Sequence, residues 1–358
     1  MGRTFSHIKG LILLPMLVLT GFSLSVIASI NPELLQQQAL FFLIGYILFF
    51  LFSFMDRDVL KNLGWFFYGF SLVVLLISYF GPSIRGSTRW IYVLGMQIQP
   101  SEVVKPLLLM SQAMVLSRYK KMSYGNAFVF FILFLLPIIL VFKQPDLGNS
   151  IVYFGTLMGL LFISGAPLFF FGGFLGFFSL LLPVGWIILK DYQRFRIISF
   201  LNPYIDTKGA GYNAIQAMIA VGTGQIFGRG LGRGTQSQLR FLPENHTDFI
   251  FASLSEELGF VAATFVLGSY FLILIMLISM ARASYDRFSR FFIFGAFFQI
   301  FLHVIINAGM NLGILPITGI TLPLVSYGGS SIIGISMTLG LVHALYGGKK
   351  VRNTIAIG

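Results

Sequence analysis

Ten runs of mostly apolar residues, most of them near twenty long, recur along a chain of 358 residues and leave little choice of architecture. Inside lipid every backbone N–H and C=O must be bonded within its own segment, so such a run crosses the hydrocarbon core as a helix. The runs fall near 11–30, 39–55, 63–80, 101–117, 126–142, 148–164, 167–189, 250–280, 290–312 and 327–347. Only 10% of residues are charged against 56% hydrophobic, and the mean hydropathy is +0.87, which excludes a water-soluble globular domain. The expectation is an all-α polytopic membrane protein of about ten transmembrane helices. It forms a single integral membrane unit over 1–358, with one large extracytoplasmic loop, 190–249, before the eighth span.

Ten crossings put both termini on one side. On that side lie Arg3, Lys9, Arg57, Lys61, Arg118, Lys120, Lys121, Arg282, Arg287, Arg290, Lys349, Lys350 and Arg352, whereas the short connections opposite carry only Arg85, Arg89 and Lys143. The positive-inside rule therefore sets both termini in the cytoplasm, and loop 190–249 faces outward. Loops near 60 residues translocate largely regardless of charge, so the basic residues of that loop do not enter the comparison. The first run lacks a small-residue cleavage pattern and reads as a retained helix. The net charge of +12 sits mostly in the connections, where anionic lipid is a nearer partner than nucleic acid. With no cysteine, disulfides, thiolate nucleophiles and Cys-based metal sites are excluded. Within the outer loop, Asp191 to Leu201 alternates aromatic, basic and branched residues as an interfacial helix does, until Asn202–Pro203 breaks it. Ala214 to Val221 is a second apolar stretch suited to lying on or dipping into the bilayer.

Charged side chains inside spans cost about 2.5–3.5 kcal/mol each on insertion scales, so each is a candidate functional residue. Glu102 and Lys105 share one helix face at i, i+3, either as a structural ion pair or as an anion-handling site. Asp146 follows Pro145 at the start of the sixth run, where a helix cap is the ordinary role. Glu256 and Glu257 follow Asp248 by about two turns, so at least one enters the membrane. His303, Asn307 and Asn311 repeat at i, i+4, i+8 on one face of the ninth run, a spacing typical of an interhelical hydrogen-bonding seam. Gly222 to Thr235 is rich in glycine with interleaved arginines. It lacks the Gly-Lys-Ser/Thr ending of a nucleotide P-loop but could wrap an anionic lipid head group through backbone N–H groups. Asp248, in Leu242 to Ala252, is the last carboxylate before the eighth span. It is either a helix cap or a base facing a basic loop at the outer interface, which suits chemistry on an acidic, lipid-linked substrate.

At these residues the chain resembles the SEDS (shape, elongation, division and sporulation) family. The resemblance rests on Arg89–Trp90–Ile91, on Gln99–Pro100–Ser101–Glu102 through Lys105, and on Gln144–Pro145–Asp146–Leu147–Gly148. Further along it rests on Asp191–Tyr192–Gln193–Arg194, Gly209 to Tyr212, Gly234 to Gln238, Leu242 to Ala252, Glu256 to Gly259 and Leu322 to Ser330, all in the family order. Asp191 to Arg194 and Leu324–Val325–Ser326 look more like the elongation branch, with a division or sporulation paralogue, or a lipid II flippase, as alternatives.

The resemblance implies a peptidoglycan glycosyltransferase that polymerises lipid II into glycan strands at the outer face of the cytoplasmic membrane, for cell elongation and rod shape. Asp248 would be its essential carboxylate, with Glu102, Lys105 and nearby Arg89 in the substrate site. The cations available to a departing pyrophosphate are Lys105, Arg89 and some of the loop arginines Arg194, Arg196, Arg229 and Arg233. A divalent cation, Mg²⁺ or Mn²⁺, would share that work, although no dedicated metal cage is visible in the sequence. The implied partners are a class B penicillin-binding protein, which supplies transpeptidation, and other membrane proteins of the elongation complex.

Overall fold

The structure, a computed structural model, describes residues 11–82, 88–93, 95–188, 194, 198–206, 209–239 and 241–347. Helices occupy all ten expected runs: α1 (Leu13–Ile30), α2 (Leu35–Ser53), the short α3 (Arg57–Asn62) leading into α4 (Gly64–Ile77), the short α5 (Pro100–Val103) leading into α6 (Lys105–Arg118), α7 (Tyr124–Lys143), α8 (Leu147–Ile163) and α9 (Leu168–Ile188), followed after the long connection by α12 (Ile250–Ala283), α13 (Arg287–Asn311) and α14 (Gly329–Gly347). The connection itself holds α10 (Ala210–Thr223) and α11 (Thr235–Gln238). Six of these helices are long and apolar enough to cross a membrane, and two shorter apolar ones, 64–80 and 147–163, lie beside them. The protein is therefore a multi-pass helical membrane protein.

The packing centres on α13, which touches α6, α8, α12 and α14. Two-thirds of its most apolar window is buried, against a third of that in α1, so α13 is the interior post and α1 a lipid-facing stave. Small residues permit the close approach: a Cβ added at Gly155 or Gly159 of α8 would lie 2.6 Å from Leu302 or Phe298 of α13. Asp286 caps α13 by accepting from the Ser289 N–H at 3.0 Å and also pairs with Arg57 at 3.2 Å, tying α3 to the α12–α13 turn.

Two features depart from a plain bundle. Before α5 the chain makes an antiparallel hairpin, β1 (Ile91–Val93) with β2 (Met96–Ile98), in register Ile91 with Ile98 and turned through Gly95 at φ +79°. The helix α12 is broken at Gly259 (φ +78°, ψ −174°). Its backbone there is satisfied by the glycine-rich segment: Phe260 and Val261 donate to the carbonyls of Gln225 and Ile226 at 2.8 and 3.1 Å, while Arg229 and Gly230 donate to those of Glu256 and Glu257 at 2.9 Å each. Non-helical backbone at this position is tolerated because protein supplies the partners that lipid cannot.

That pairing corrects the reading of Gly222 to Thr235 as a head-group wrap. The N–H groups of Gly228, Arg229, Gly230 and Arg233 donate to main-chain carbonyls, and that of Gly232 to Ser29 and Glu257. Both acidic side chains of the helix lock the same segment. Glu256 accepts from the N–H groups of Gln236 and Ser237 at 2.8 and 3.0 Å and from the Ser237 hydroxyl at 2.9 Å, and Glu257 accepts from Ser29 and Gln238 at 2.8 and 2.9 Å. Of the interfacial helix expected over Asp191 to Leu201, residues 198–201 are helical, Asn202 caps the 3-10 turn that follows by accepting from the Tyr204 N–H, and residues 191–193 and 195–197 lie outside the described residues.

Candidate active site

Three polar centres lie along the buried face of α13 and its surroundings. In the first, Glu102 and Lys105, each about nine-tenths or more buried, pair at 2.7 Å, and the Lys105 ammonium also lies 2.7 Å from His303 Nε2. His303 Nδ1 is 3.1 Å from the Thr321 carbonyl, which can only accept. The network thus places the imidazole proton on Nδ1 and leaves Nε2 as a lone pair for Lys105 to donate to. Pro106 carries no N–H, so the Glu102 carbonyl lacks its usual donor four residues on, and Gly334 of α14 passes close against it. A small cavity lined by Glu102, Lys105, Gln299, His303, Ser331 and Thr338 opens beside the pair.

The hairpin builds the second centre by placing Arg89 before it and Gln99 after it. Asp146, 1% exposed, caps α8 by accepting from the Asn149 N–H at 3.2 Å, as its position suggested. The same carboxylate also accepts from Gln99 at 2.6 Å and the Asn149 amide at 2.9 Å, and Arg89 Nη1 stands 3.7 Å away. Tyr153 donates to the Ser101 carbonyl at 2.6 Å, joining α8 to the turn that precedes Glu102. The sequence shows the cap but not Gln99 and Arg89, which come from about fifty positions earlier.

Asp248 forms the third. The helix α12 starts two residues later, its capping position is Phe249, and that residue offers no side-chain bond to the first turn. The half-buried Asp248 is therefore not the cap, which corrects the ordinary reading of its position. Its main-chain oxygen accepts from the side-chain amides of Asn307 at 3.0 Å and Asn311 at 3.1 Å. Its carboxylate borders Gly319, where a Cβ would lie 3.3 Å from Asp248 Oδ2 and where φ is +72°. The loop carrying Gly319 is fastened to the Asp248 segment by Ser326, which donates to the Thr247 carbonyl at 2.7 Å, and by the Tyr327 N–H, which donates to that of His246 at 2.8 Å.

The structure thus joins Glu102 and Lys105 to each other and Arg89 to Asp146. Residue Arg194 is elsewhere: its guanidinium donates to the carbonyls of Trp186 and Ile187 at 2.8 and 2.6 Å, at the end of α9. Arg196 lies outside the described residues. Among the described residues no group of three His, Cys, Asp or Glu could hold a metal ion. Gly319 and Gln99 escaped the sequence reading. Gln99 belongs to the Gln99–Pro100–Ser101–Glu102 motif without a role that its residue type reveals, whereas nothing in the sequence marks Gly319.

A polytopic helical membrane protein in which one helix face meets a half-buried aspartate and, a turn away, a buried Lys–Glu–His cluster is the class that fold and site define. The family described as cell cycle protein, FtsW/RodA/SpoVE, matches residues 4–350, and the chain belongs to it. It is 38% identical to the peptidoglycan glycosyltransferase MrdB of Escherichia coli K12 over 293 residues, 80% of this chain and 79% of that protein. It is 40% identical to stage V sporulation protein E of Bacillus subtilis 168 over 276 residues, 76% of this chain and 75% of that one. A solved peptidoglycan synthase complex, described as coordinating polymerization and crosslinking, superposes with a TM-score of 0.78 at 31% identity over 94% of this chain and 96% of that one. An aspartate-to-alanine variant of the Thermus thermophilus rod shape determining protein RodA gives 0.71 at 27% identity, covering 94% and 96%.

Proposed function

We propose that this chain is a RodA-like peptidoglycan glycosyltransferase that polymerises lipid II for cell elongation. The observation that carries the reading is the placement of Asp248: an acid at the mouth of a helix, outside the capping position, half-buried, with its main chain tied to the bundle. Asp248 accepts the proton of the acceptor sugar's 4-hydroxyl while that oxygen attacks the donor's anomeric carbon. A glycosidic C–O bond forms, the anomeric bond to lipid pyrophosphate breaks, and one displacement inverts α to β. General-base help of this kind contributes about 10²–10⁴-fold, and positioning and stabilisation of the leaving group supply the rest.

Arg89 is half-exposed beside Asp146 and is the described cation placed to meet the pyrophosphate. Lys105 is buried and shared between Glu102 and His303, so its role is to set the field of the site from within. Among the described residues no group of three His, Cys, Asp or Glu forms a cage for Mg²⁺ or Mn²⁺, and a divalent cation would arrive on the substrate's pyrophosphate. Basic connections support cytoplasmic termini and an active site on the outer side. A class B penicillin-binding protein is the proposed partner, on the likeness to a synthase complex that couples polymerization to crosslinking, with other elongation-complex membrane proteins beside it. The whole chain acts as one integral membrane unit.

The test is glycan formation from purified lipid II by the wild type and by Asp248→Asn, with and without the partner. Loss of polymer with retained lipid II binding is expected. An Asp248→Asn chain that polymerises at the wild-type rate overturns the reading, and lipid movement by that variant without polymerisation by the wild type would indicate a flippase.

A further inference from the structure

The geometry points to Asn307 and Asn311 as positioning residues that set the direction of the Asp248 carboxylate, an inference that rests on Asp248 acting as the base. In an uninterrupted helix the Asp248 carbonyl would accept from the Ala252 N–H, four residues on. Here one side chain stands between them. Asn311 donates to the Asp248 carbonyl at 3.1 Å, and its own amide oxygen accepts from the Ala252 N–H at 3.2 Å. The amide is spliced into the first turn of α12 from a different helix. Both halves of the missing backbone bond are satisfied, and the Asp248 peptide is free to turn out of the helical path.

Asn307, one turn earlier on α13, supplies the second grip. Its amide donates to the Asp248 carbonyl at 3.0 Å and to the Ile320 carbonyl at 2.7 Å, the residue after Gly319. The two strands of chain that flank the carboxylate are therefore pinned to one amide group. Asn311 also donates to the main-chain carbonyl of Asn307 at 2.8 Å, with the Asn307 amide oxygen 3.4 Å away, so the second amide is braced against the turn that carries the first. Both asparagines are 0% exposed, and α13 is the most extensively packed post of the bundle around them. Water does not reach amides buried this way, so each bond is held without competition. One further turn back, the same face presents His303 to Lys105. A single helix face thus holds Asp248 in register with the buried pair of α5 and α6.

A carboxylate that must reach a sugar hydroxyl loses rate steeply when displaced: a misplacement of about 1 Å costs on the order of 10²-fold. The experiment compares wild type, Asn307→Ala, Asn311→Ala, the double variant, Asn311→Gln and Asp248→Asn, each purified with the partner. Turnover and KM for lipid II polymerisation, direct lipid II binding and thermal unfolding are measured. Each alanine variant is expected to lose about 10²-fold in kcat with KM and lipid II binding within threefold of wild type. The double variant should lose little more than either single, because the amides act as a unit. Asn311→Gln, which keeps donor and acceptor one methylene further out, should regain part of the rate. Wild-type kcat in both alanine variants overturns the inference, as does a loss carried by KM. If the alanine variants do not purify folded, Asn311→Gln carries the test: a kcat deficit at normal KM and unfolding temperature supports positioning, and wild-type kcat refutes it. An active Asp248→Asn chain would instead sink the base assignment, so the two failures are distinguishable.

Discussion

Lys105 Nζ and His303 Nε2 lie 2.7 Å apart, and the imidazole's other nitrogen is already committed to the Thr321 carbonyl. The lysine must then be the donor, and the Glu102 carboxylate, paired with it at 2.7 Å, balances its charge. Removing one partner of a buried pair leaves an uncompensated charge, at a cost of about 3–5 kcal/mol, while removing both is far milder. Glu102→Gln and Lys105→Met should each lower the thermal unfolding midpoint sharply, and the double variant should recover most of that loss. A double variant less stable than either single would show that the pair is not mutually compensating.

Gly319 faces the Asp248 carboxylate from a backbone that L side chains rarely adopt. Gly319→Ala adds a methyl group 3.3 Å from Oδ2 and costs roughly 1–2 kcal/mol in the left-handed region. Glycan synthesis should fall more than the loss of stability explains. Steady-state turnover set beside thermal unfolding of the same preparation checks it, and an unchanged kcat would place the carboxylate away from the reacting atoms.

Glu256 receives two main-chain N–H groups and two hydroxyls from 235–237. Glu256→Gln turns one acceptor into a donor against them, and hydrogen bonds to charged groups contribute about 1.5–3 kcal/mol each. Limited proteolysis within 225–241 should become markedly faster, with cleavage elsewhere unaltered. Equal protection in the variant would mean that the carboxylate does not hold the segment.

At Gly259 the backbone occupies a region that is essentially glycine-only, and a Cβ would run into the Gly228 amide. Gly259→Ala should therefore abolish or strongly reduce the yield of folded protein, as seen by size-exclusion chromatography. Gly268→Ala, where added bulk meets nothing within 4 Å, is the control expected to fold normally.

Hydropathy located every long helix to within several residues because lipid enforces length and apolarity on each span separately. The i, i+4, i+8 spacing of His303, Asn307 and Asn311 likewise showed a seam, since period alone fixes a helix face. What the seam binds was not legible, because Asp248 and Ile320 reach it through main-chain oxygens that no residue type reveals. The break at Gly259 was hidden by apolar residues on both sides, and the hairpin by strands only three residues long. Arg194 was grouped with pyrophosphate cations on charge, yet a guanidinium beside the end of a helix finds free carbonyls there first.

The interruption at Gly259 divides one apparent rod into two levers. Residues 250–258 are bonded at one end to α13, through the Ala252 N–H, and at the other to the glycine-rich segment and α11, through Glu256 and Glu257, while Phe260 and Val261 brace the start of 260–283 on the same segment. A protein bound to the connection between α9 and α12 would therefore load the shorter lever directly, against the hold that Asn307 and Asn311 keep on Asp248.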